Sequence, residues 1–165
     1  KNTGDKEMHF QIGAHPAFYW PDFDASTQER GFFGFDKKED VKYILISEKG
    51  CADPSAEYSL ELADGLLPLD IHTFDKDAFI LENEQVHKVT LYTKEKKACL
   101  SLHFHTPVVG LWSPPAKNAP FVCIEPWYGR CDRAHYTGEY KDKDWMQHLH
   151  PDKTFKGGYT IEIEE

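Results

Sequence analysis

A glutamate in an otherwise apolar strand is the first candidate for chemistry, in segment 121–127, Phe-Val-Cys-Ile-Glu-Pro-Trp. Alternation places Glu125 on the same strand face as Cys123, with Ile124 on the other face. Apolar neighbours desolvate a carboxylate, which raises its pKa and suits it to proton transfer near neutral pH. Because Pro126 cannot donate a ladder hydrogen bond, we expect the strand to end at Glu125 or to lie at a sheet edge. The structural alternative is a glutamate that only pairs with an arginine.

A histidine held in a turn is the second candidate, in segment 13–18, Gly-Ala-His-Pro-Ala-Phe. Pro16 biases His15 toward extended backbone and stiffens the turn that follows. Imidazole is the side chain that changes charge near neutral pH, so a rigidly held His15 suits a general acid. The alternative is a histidine that caps the turn by hydrogen bonding to the backbone.

Two aspartates flank a lysine in segment 74–79, Phe-Asp-Lys-Asp-Ala-Phe, just before an apolar run. Either Asp75 or Asp77 is placed to hydrogen-bond a ligand. Equally, both can form Asx-type turns with the backbone. The sequence alone leaves both interpretations open and favours the turn.

Two histidine pairs have the spacing that puts both imidazoles on one strand face. In the strand predicted over 98–106, His103 and His105 lie on one face, as in a metal site of the cupin type. The carboxylate that such a site needs does not follow in segment 106–110, so we expect no metal there. His148 and His150 have the same spacing, in a segment that we expect to be a loop.

Short strands separated by Gly and Pro turns dominate the chain and predict an all-β protein, a sandwich or barrel. The predicted strands are 8–12, 41–46, 86–93, 98–106, 108–112, 121–125 and 159–163. Two short helices are predicted, over 25–30 and 142–149. No repeat or linker divides the 165 residues, so one domain, 1–165, is expected.

The formal charge of −9 argues against nucleic acid or an anionic membrane as the main partner, because both need a basic footprint. No run approaches the roughly 20 apolar residues of a membrane helix. The four cysteines show no CxxC pair, which favours a reducing, cytoplasmic setting. The first residues lack an initiator Met, so we expect the chain to start inside a longer protein.

Taken together, four segments resemble the aldose 1-epimerase (galactose mutarotase) superfamily, and within it the LacX-like branch. They are GAHPAF at 13–18, FDKDAF at 74–79, LWSPP at 111–115 and FVCIEPWYGRCD at 121–132. The resemblance spans the whole chain but only the C-terminal half to three-fifths of a family member. It implies a galactose-mutarotase-like β-sandwich of large twisted antiparallel sheets, here without its N-terminal strands, with the sugar in an open cleft.

The resemblance also implies roles for individual residues. Glu125 is expected to be the general base that takes the proton of the C1 hydroxyl, and His15 the general acid that protonates the ring oxygen. Asp77, or its neighbour Asp75, is expected to hydrogen-bond sugar hydroxyls. Trp127, and less surely Trp112, is placed to form an apolar wall for the sugar, an extrapolation from where the aromatic residues lie. No cofactor or metal is implied.

The expected function is therefore interconversion of the α and β anomers of a hexose by an isomerase. Family members contribute an Arg and often a His from their N-terminal half, so we expect the site to need the protein's own N-terminal segment. The identity of the sugar stays open, and Arg130 and Arg133 alone make a weak case for a sugar phosphate. The alternatives are a non-catalytic carbohydrate-binding or regulatory β-sandwich and, with less support, a metal-dependent β-barrel enzyme.

Overall fold

Strands form nearly all of the regular structure in the computed structural model, which describes residues 1–164. The strands are β1 Met8–Phe10, β2 Ile12–Gly13, β3 Ala17–Tyr19, β4 Glu29–Phe35, β5 Lys42–Ile46, β6 Ala52–Ser59, β7 Leu66–Asp70, β8 Phe79–Glu82, β9 Lys88–Tyr92, β10 Ala98–Phe104, β11 Val108–Trp112, β12 Phe121–Tyr128, β13 Gln147–Leu149 and β14 Tyr159–Ile163. Two 3₁₀ helices span Glu48–Gly50 and Tyr140–Asp142. Among residues 1–164, no helix has the length and hydropathy required to cross a bilayer.

The strands form three sheets, and neighbouring strands within each sheet run antiparallel. A seven-stranded sheet has the order β2-β12-β11-β8-β5-β6, with β3 also paired to β12. A five-stranded sheet has the order β14-β10-β9-β4-β7, and β1 pairs with β13 in a two-stranded ribbon. The predicted all-β class with twisted antiparallel sheets is confirmed.

The main core lies between the two large sheets. From the five-stranded sheet, Phe33, Leu91 and Leu102 are fully buried, and from the seven-stranded sheet Leu111 and Ile124 meet them. Strand alternation sends every second side chain of the seven-stranded sheet into this core. The residues between them, including Glu125, therefore emerge on the opposite face of the sheet.

Both helix predictions are wrong. In segment 25–30, the Asp24 side chain accepts hydrogen bonds from the backbone and hydroxyl of Ser26 in a turn, and β4 starts at Glu29. Segment 142–149 holds the end of a 3₁₀ turn and then β13, which pairs with β1. In segment 142–149, pairing with the distant strand β1 outweighs local propensity, whereas in segment 25–30 the local turn at Asp24 replaces the helix before β4 starts.

The prediction that the strand ends at Glu125 is also wrong, because β12 continues to Tyr128. Pro126 is tolerated because it lies opposite residues 14–16, where the neighbouring strand is interrupted between β2 and β3. Its carbonyl still accepts a hydrogen bond from the Ala14 N–H at 3.0 Å. A residue without an N–H therefore sits where the ladder does not need one.

Truncation of a core anchor next to Glu125 tests this account of the sheet. Ile124→Ala removes a side chain that is 0% exposed, and we expect it to lower the free energy of unfolding by about 2–5 kcal/mol. Ile163→Ala, at a position 72% exposed, is the control and should stay within about 0.5 kcal/mol of the wild type. Urea unfolding measures both, and equal losses would contradict the assignment of the core.

Candidate active site

His15 lies directly opposite Glu125 in the sheet, although the strand that carries it is broken there. The register pairs Trp127 with Gly13 on one side of the break and Cys123 with Ala17 on the other. Both pairs follow the same antiparallel register, so the register continues unchanged across the gap. Directly opposed residues have side chains within reach of each other, and this brings the two candidates together.

The two side chains are in contact in an uneven environment. The Nδ1 of His15 lies 3.2 Å from Oε2 of Glu125, with side-chain exposures of 64% and 5%. Burial raises the pKa of Glu125 to about 7, against a smaller opposing effect of the Trp127 side chain. Glu125 therefore exchanges a proton near neutral pH, and its partner is the accessible imidazole rather than an arginine.

Two glycines make room for Trp127 beside this pair. A Cβ atom on Gly110, the β11 residue opposite Glu125, would lie 2.5 Å from the Trp127 indole. A Cβ atom on Gly13 would lie 2.5 Å from Cδ1, at the opposite end of the same indole. The indole therefore lies flat across the backbone of two strands and forms an apolar surface next to the carboxylate.

An open cleft of about 620 Å³ lies over this face of the sheet, with Glu125 and His15 among its lining residues. Trp127 and Trp112 also line it, and the ring of Trp112 stands edge-on to that of His15 at 6.1 Å between centroids. Asp77 lines the same cleft. The structure thus brings together His15, Asp77 and the pair Glu125 and Trp127, which come from three separate segments of the sequence.

The two aspartates of segment 74–79 occupy different environments. Asp75 lies outside the lining of the cleft and contacts the ring of His72 at 2.9 Å. Asp77, in left-handed backbone with φ of 73°, accepts a hydrogen bond from the Ala78 N–H at 2.7 Å and lines the cleft. Geometry therefore favours Asp77 as the candidate ligand-binding residue.

Cys123 is the other polarizable group beside the pair, and with His15 and Glu125 it could form a three-donor set. Burial and the Glu125 charge raise the pKa of Cys123 to about 12. The neutral thiol is a poor nucleophile and a poor metal ligand, since both roles need the thiolate. The arrangement therefore suits proton transfer by the histidine and the glutamate.

Arg130, at the end of the cleft, belongs to a buried ion network that the sequence did not reveal. Its guanidinium pairs with Glu82 at 2.5 Å and with Asp144 at 2.8 Å, and the Trp145 indole donates a hydrogen bond to Glu82 at 2.6 Å. Arg133 contacts Asp144 as well, at 3.3 Å. Both arginines are thus already paired with carboxylates, and Arg130 fastens the segment after β12 to β8.

His103 and His105, which have the spacing of a metal-binding pair but for which the sequence predicts no metal, contact different neighbours. His103 contacts Glu162 of the edge strand β14 at 2.7 Å. The ring of His105 lies beside that of His87, with centroids 5.1 Å apart. The structure does not bring them into one donor set.

Removing the buried cation should cost far more stability than removing its exposed neighbour. Arg130→Ala leaves the mostly buried Glu82 without a cation and Asp144 with only the exposed Arg133, and we expect a loss of about 3–5 kcal/mol in the free energy of unfolding. Arg133→Ala, at a side chain 46% exposed, should cost less than about 1 kcal/mol. Chemical denaturation compares the two, and similar effects would show that the Arg130 network is not a stabilising element.

Known proteins resemble this chain in sequence and in fold, although no family model matches it. The plasmid and chromosomal LacX proteins of Lactococcus lactis subsp. lactis are each 29% identical over 161 residues, which is 96% of this chain and 54% of theirs. The chain thus spans about half the length of the curated relatives it matches.

Two solved structures share the fold. A galactose mutarotase related enzyme from Lactobacillus acidophilus superposes with a TM-score of 0.86 at 30% identity, over 99% of this chain and 55% of that one. A galactose mutarotase-like protein from Lactobacillus casei superposes with a TM-score of 0.77 at 23% identity, over 97% and 54%, and supports the fold alone. With the motifs around His15 and Glu125, the LacX proteins and the Lactobacillus acidophilus enzyme support a relation of this chain to the aldose 1-epimerase (galactose mutarotase) superfamily and its LacX-like branch.

Proposed function

We propose that this protein is an isomerase of the aldose 1-epimerase type, which interconverts the α and β anomers of an aldohexose. The observation that carries the proposal is the 3.2 Å contact between the buried Glu125 carboxylate and the accessible His15 ring at the floor of an open cleft. A module that only binds sugars needs hydrogen-bond partners for hydroxyls but not an adjacent acid and base.

The chemistry needs two proton carriers side by side. Glu125 takes the proton of the C1 hydroxyl, the bond between C1 and the ring oxygen breaks, and His15 protonates that ring oxygen. The open-chain aldehyde rotates about the C1–C2 bond, and the reverse steps close the ring to the other anomer. Both protons return to their donors. Because the two reacting oxygens share one carbon, an adjacent acid–base pair can reach both.

Burial prepares Glu125 for the base step. A carboxylate in an apolar setting gains from accepting a proton, because the neutral acid is easier to bury. With its pKa raised to about 7, Glu125 is ionised in a substantial fraction of molecules at neutral pH. An effective general base must be ionised in enough molecules and must also bind the proton strongly enough, and a carboxylate with this pKa meets both needs.

The cleft favours a neutral sugar. Trp127 presents an apolar surface for a pyranose face, and Asp77 supplies a carboxylate for sugar hydroxyls. Arg130 and Arg133 are occupied by Glu82 and Asp144, which leaves them poorly suited to a sugar phosphate. Asp77 and Trp127 are therefore proposed as binding residues and the substrate as an unphosphorylated aldohexose.

The proposal applies to the full-length gene product. His15 is well exposed, and we assign the covering of that side of the cleft to the protein's own N-terminal segment. A cytoplasmic location is part of the proposal and rests on the four cysteines, none of which forms a CxxC pair.

Mutarotation followed by polarimetry tests the acid–base pair. We expect the full-length gene product to accelerate the change in optical rotation of freshly dissolved α-galactose or α-glucose. Glu125→Gln and His15→Gln should each lower kcat by roughly 10²–10⁴-fold, because each removes one proton carrier. In the wild type, the rising limb of kcat/KM against pH should have its midpoint at about 7, where Glu125 loses its proton.

His103→Gln is the matched control, since it removes an exposed imidazole that also contacts a glutamate but lies outside the cleft. It should leave the rate unchanged. Absence of acceleration across a panel of aldoses would overturn the enzyme proposal, and sugar binding without acceleration would favour the carbohydrate-binding alternative.

A further inference from the structure

The ribbon of β1 and β13 carries a second cluster of imidazoles, away from the cleft. Its register places His9 directly opposite His148 and Met8 opposite Leu149. Continued by one residue, the same register places Glu7 opposite His150. The sequence shows His148 and His150 as a same-face pair, and the fold adds Glu7 and His9 from the other end of the chain.

All four donor side chains lie on one face of the ribbon. Residues two apart on a strand share a face, which groups Glu7 with His9 and His148 with His150. The other face packs against the protein. Leu149 is buried, and the ring of Phe10 stands edge-on to that of Phe155, with 5.1 Å between the ring centroids. Packing of this second face against the protein therefore keeps the four donor side chains on the outer face of the ribbon.

The donor atoms of this face are close together. Nδ1 of His9 lies 3.1 Å from Nδ1 of His148, and Oε2 of Glu7 lies 3.6 Å from that atom of His148. The second Glu7 oxygen lies 3.2 Å from Nδ1 of His150. One ligand atom from each of Glu7, His9 and His148 lies within 4.8 Å of the others.

The two distances from Nδ1 of His148, 3.1 Å to His9 and 3.6 Å to Glu7, are close to those between ligands of one metal ion, and Nε2 of His9 lies 3.8 Å from the same Glu7 oxygen. Zinc bonds of 2.0–2.2 Å to nitrogen and oxygen in a tetrahedron separate neighbouring donors by about 3.3–3.6 Å. We propose that Glu7, His9 and His148, with His150 as the fourth ligand, bind one divalent transition-metal ion of the zinc class. The site is separate from the cleft, and the inference does not depend on the proposed epimerase activity.

The donor types select the class of metal. Three imidazoles and one carboxylate suit Zn²⁺, Ni²⁺ or Cu²⁺, whereas Mg²⁺ and Ca²⁺ prefer sites made of oxygens. Two other histidine–carboxylate contacts outside the cleft differ in kind. His72 with Asp75 and His103 with Glu162 are single pairs, each with one imidazole.

A metal at this site would fasten the strand that leads to His15. Strand β1 continues through Gln11 into β2, and His15 follows two residues after β2 ends. The Gln11 side chain donates a hydrogen bond to the backbone carbonyl of Asp144 at 3.0 Å. Cross-linking β1 to β13 would thus add a second attachment to this segment, which makes the metal a structural element.

Isothermal titration of the full chain, after treatment with a chelator, with ZnCl₂ tests the proposal. The wild type should bind one Zn²⁺ per chain, and His9→Gln and His148→Gln should weaken binding at least about tenfold. The matched control His103→Gln should bind like the wild type, because its imidazole belongs to an isolated pair. Zn²⁺, but not an equal concentration of Mg²⁺, should raise the Tm of the wild type by binding the folded state.

Circular dichroism without metal shows whether the variants fold, since these side chains are partly exposed and their replacement spares the core. If His148→Gln does not fold, His150→Gln, at a side chain 75% exposed, replaces it and should also weaken binding. The proposal is overturned if the wild type shows no saturable Zn²⁺ binding, or if the folded variants bind as tightly as the wild type.

Discussion

The antiparallel register between β12 and the interrupted strand of β2 and β3 is the constraint on which the site depends. It is continuous across the break, so His15 faces Glu125 even though residues 14–16 belong to neither β2 nor β3. Because the strand is interrupted there, the His15 ring is exposed to solvent. Pro126 lies opposite the same interruption, where the neighbouring strand does not require an N–H from it. A shift of one residue would send Glu125 into the sandwich core and remove the pair.

One face of β12 stabilises the fold, and the other face carries the candidate site. Ile124 packs into the core and fixes the strand, and Glu125 emerges on the cleft side with a pKa raised by burial. Gly110 and Gly13 carry no side chain where the Trp127 indole lies, and that ring in turn helps to keep water from the carboxylate. The Arg130 network joins the segment after β12 to β8 and so fixes the C-terminal end of the strand that carries Glu125.

Local patterns in the sequence were enough for the β class, for the faces of β12 and for the chemical character of Glu125. They could not supply the pairing of distant strands. Arg130 meets Glu82 across 48 residues, and His9 meets His148 across 139, separations that no spacing rule links. The same long-range pairing explains why 147–149 is a strand and not part of the predicted helix at 142–149, while the predicted helix at 25–30 is replaced by a local turn at Asp24 and the start of β4.

The account stands on the ionisation of Glu125, which a direct titration measures. Carbon-13 NMR of the full-length gene product with labelled glutamate, assigned by the signal lost in Glu125→Gln, follows that carboxyl group alone as the pH changes. The structure predicts a midpoint of about 7, with the proton lost as the pH rises through that value. A midpoint near the ordinary value of 4.5 would show that the fold does not prepare Glu125 as a base and would contradict the account.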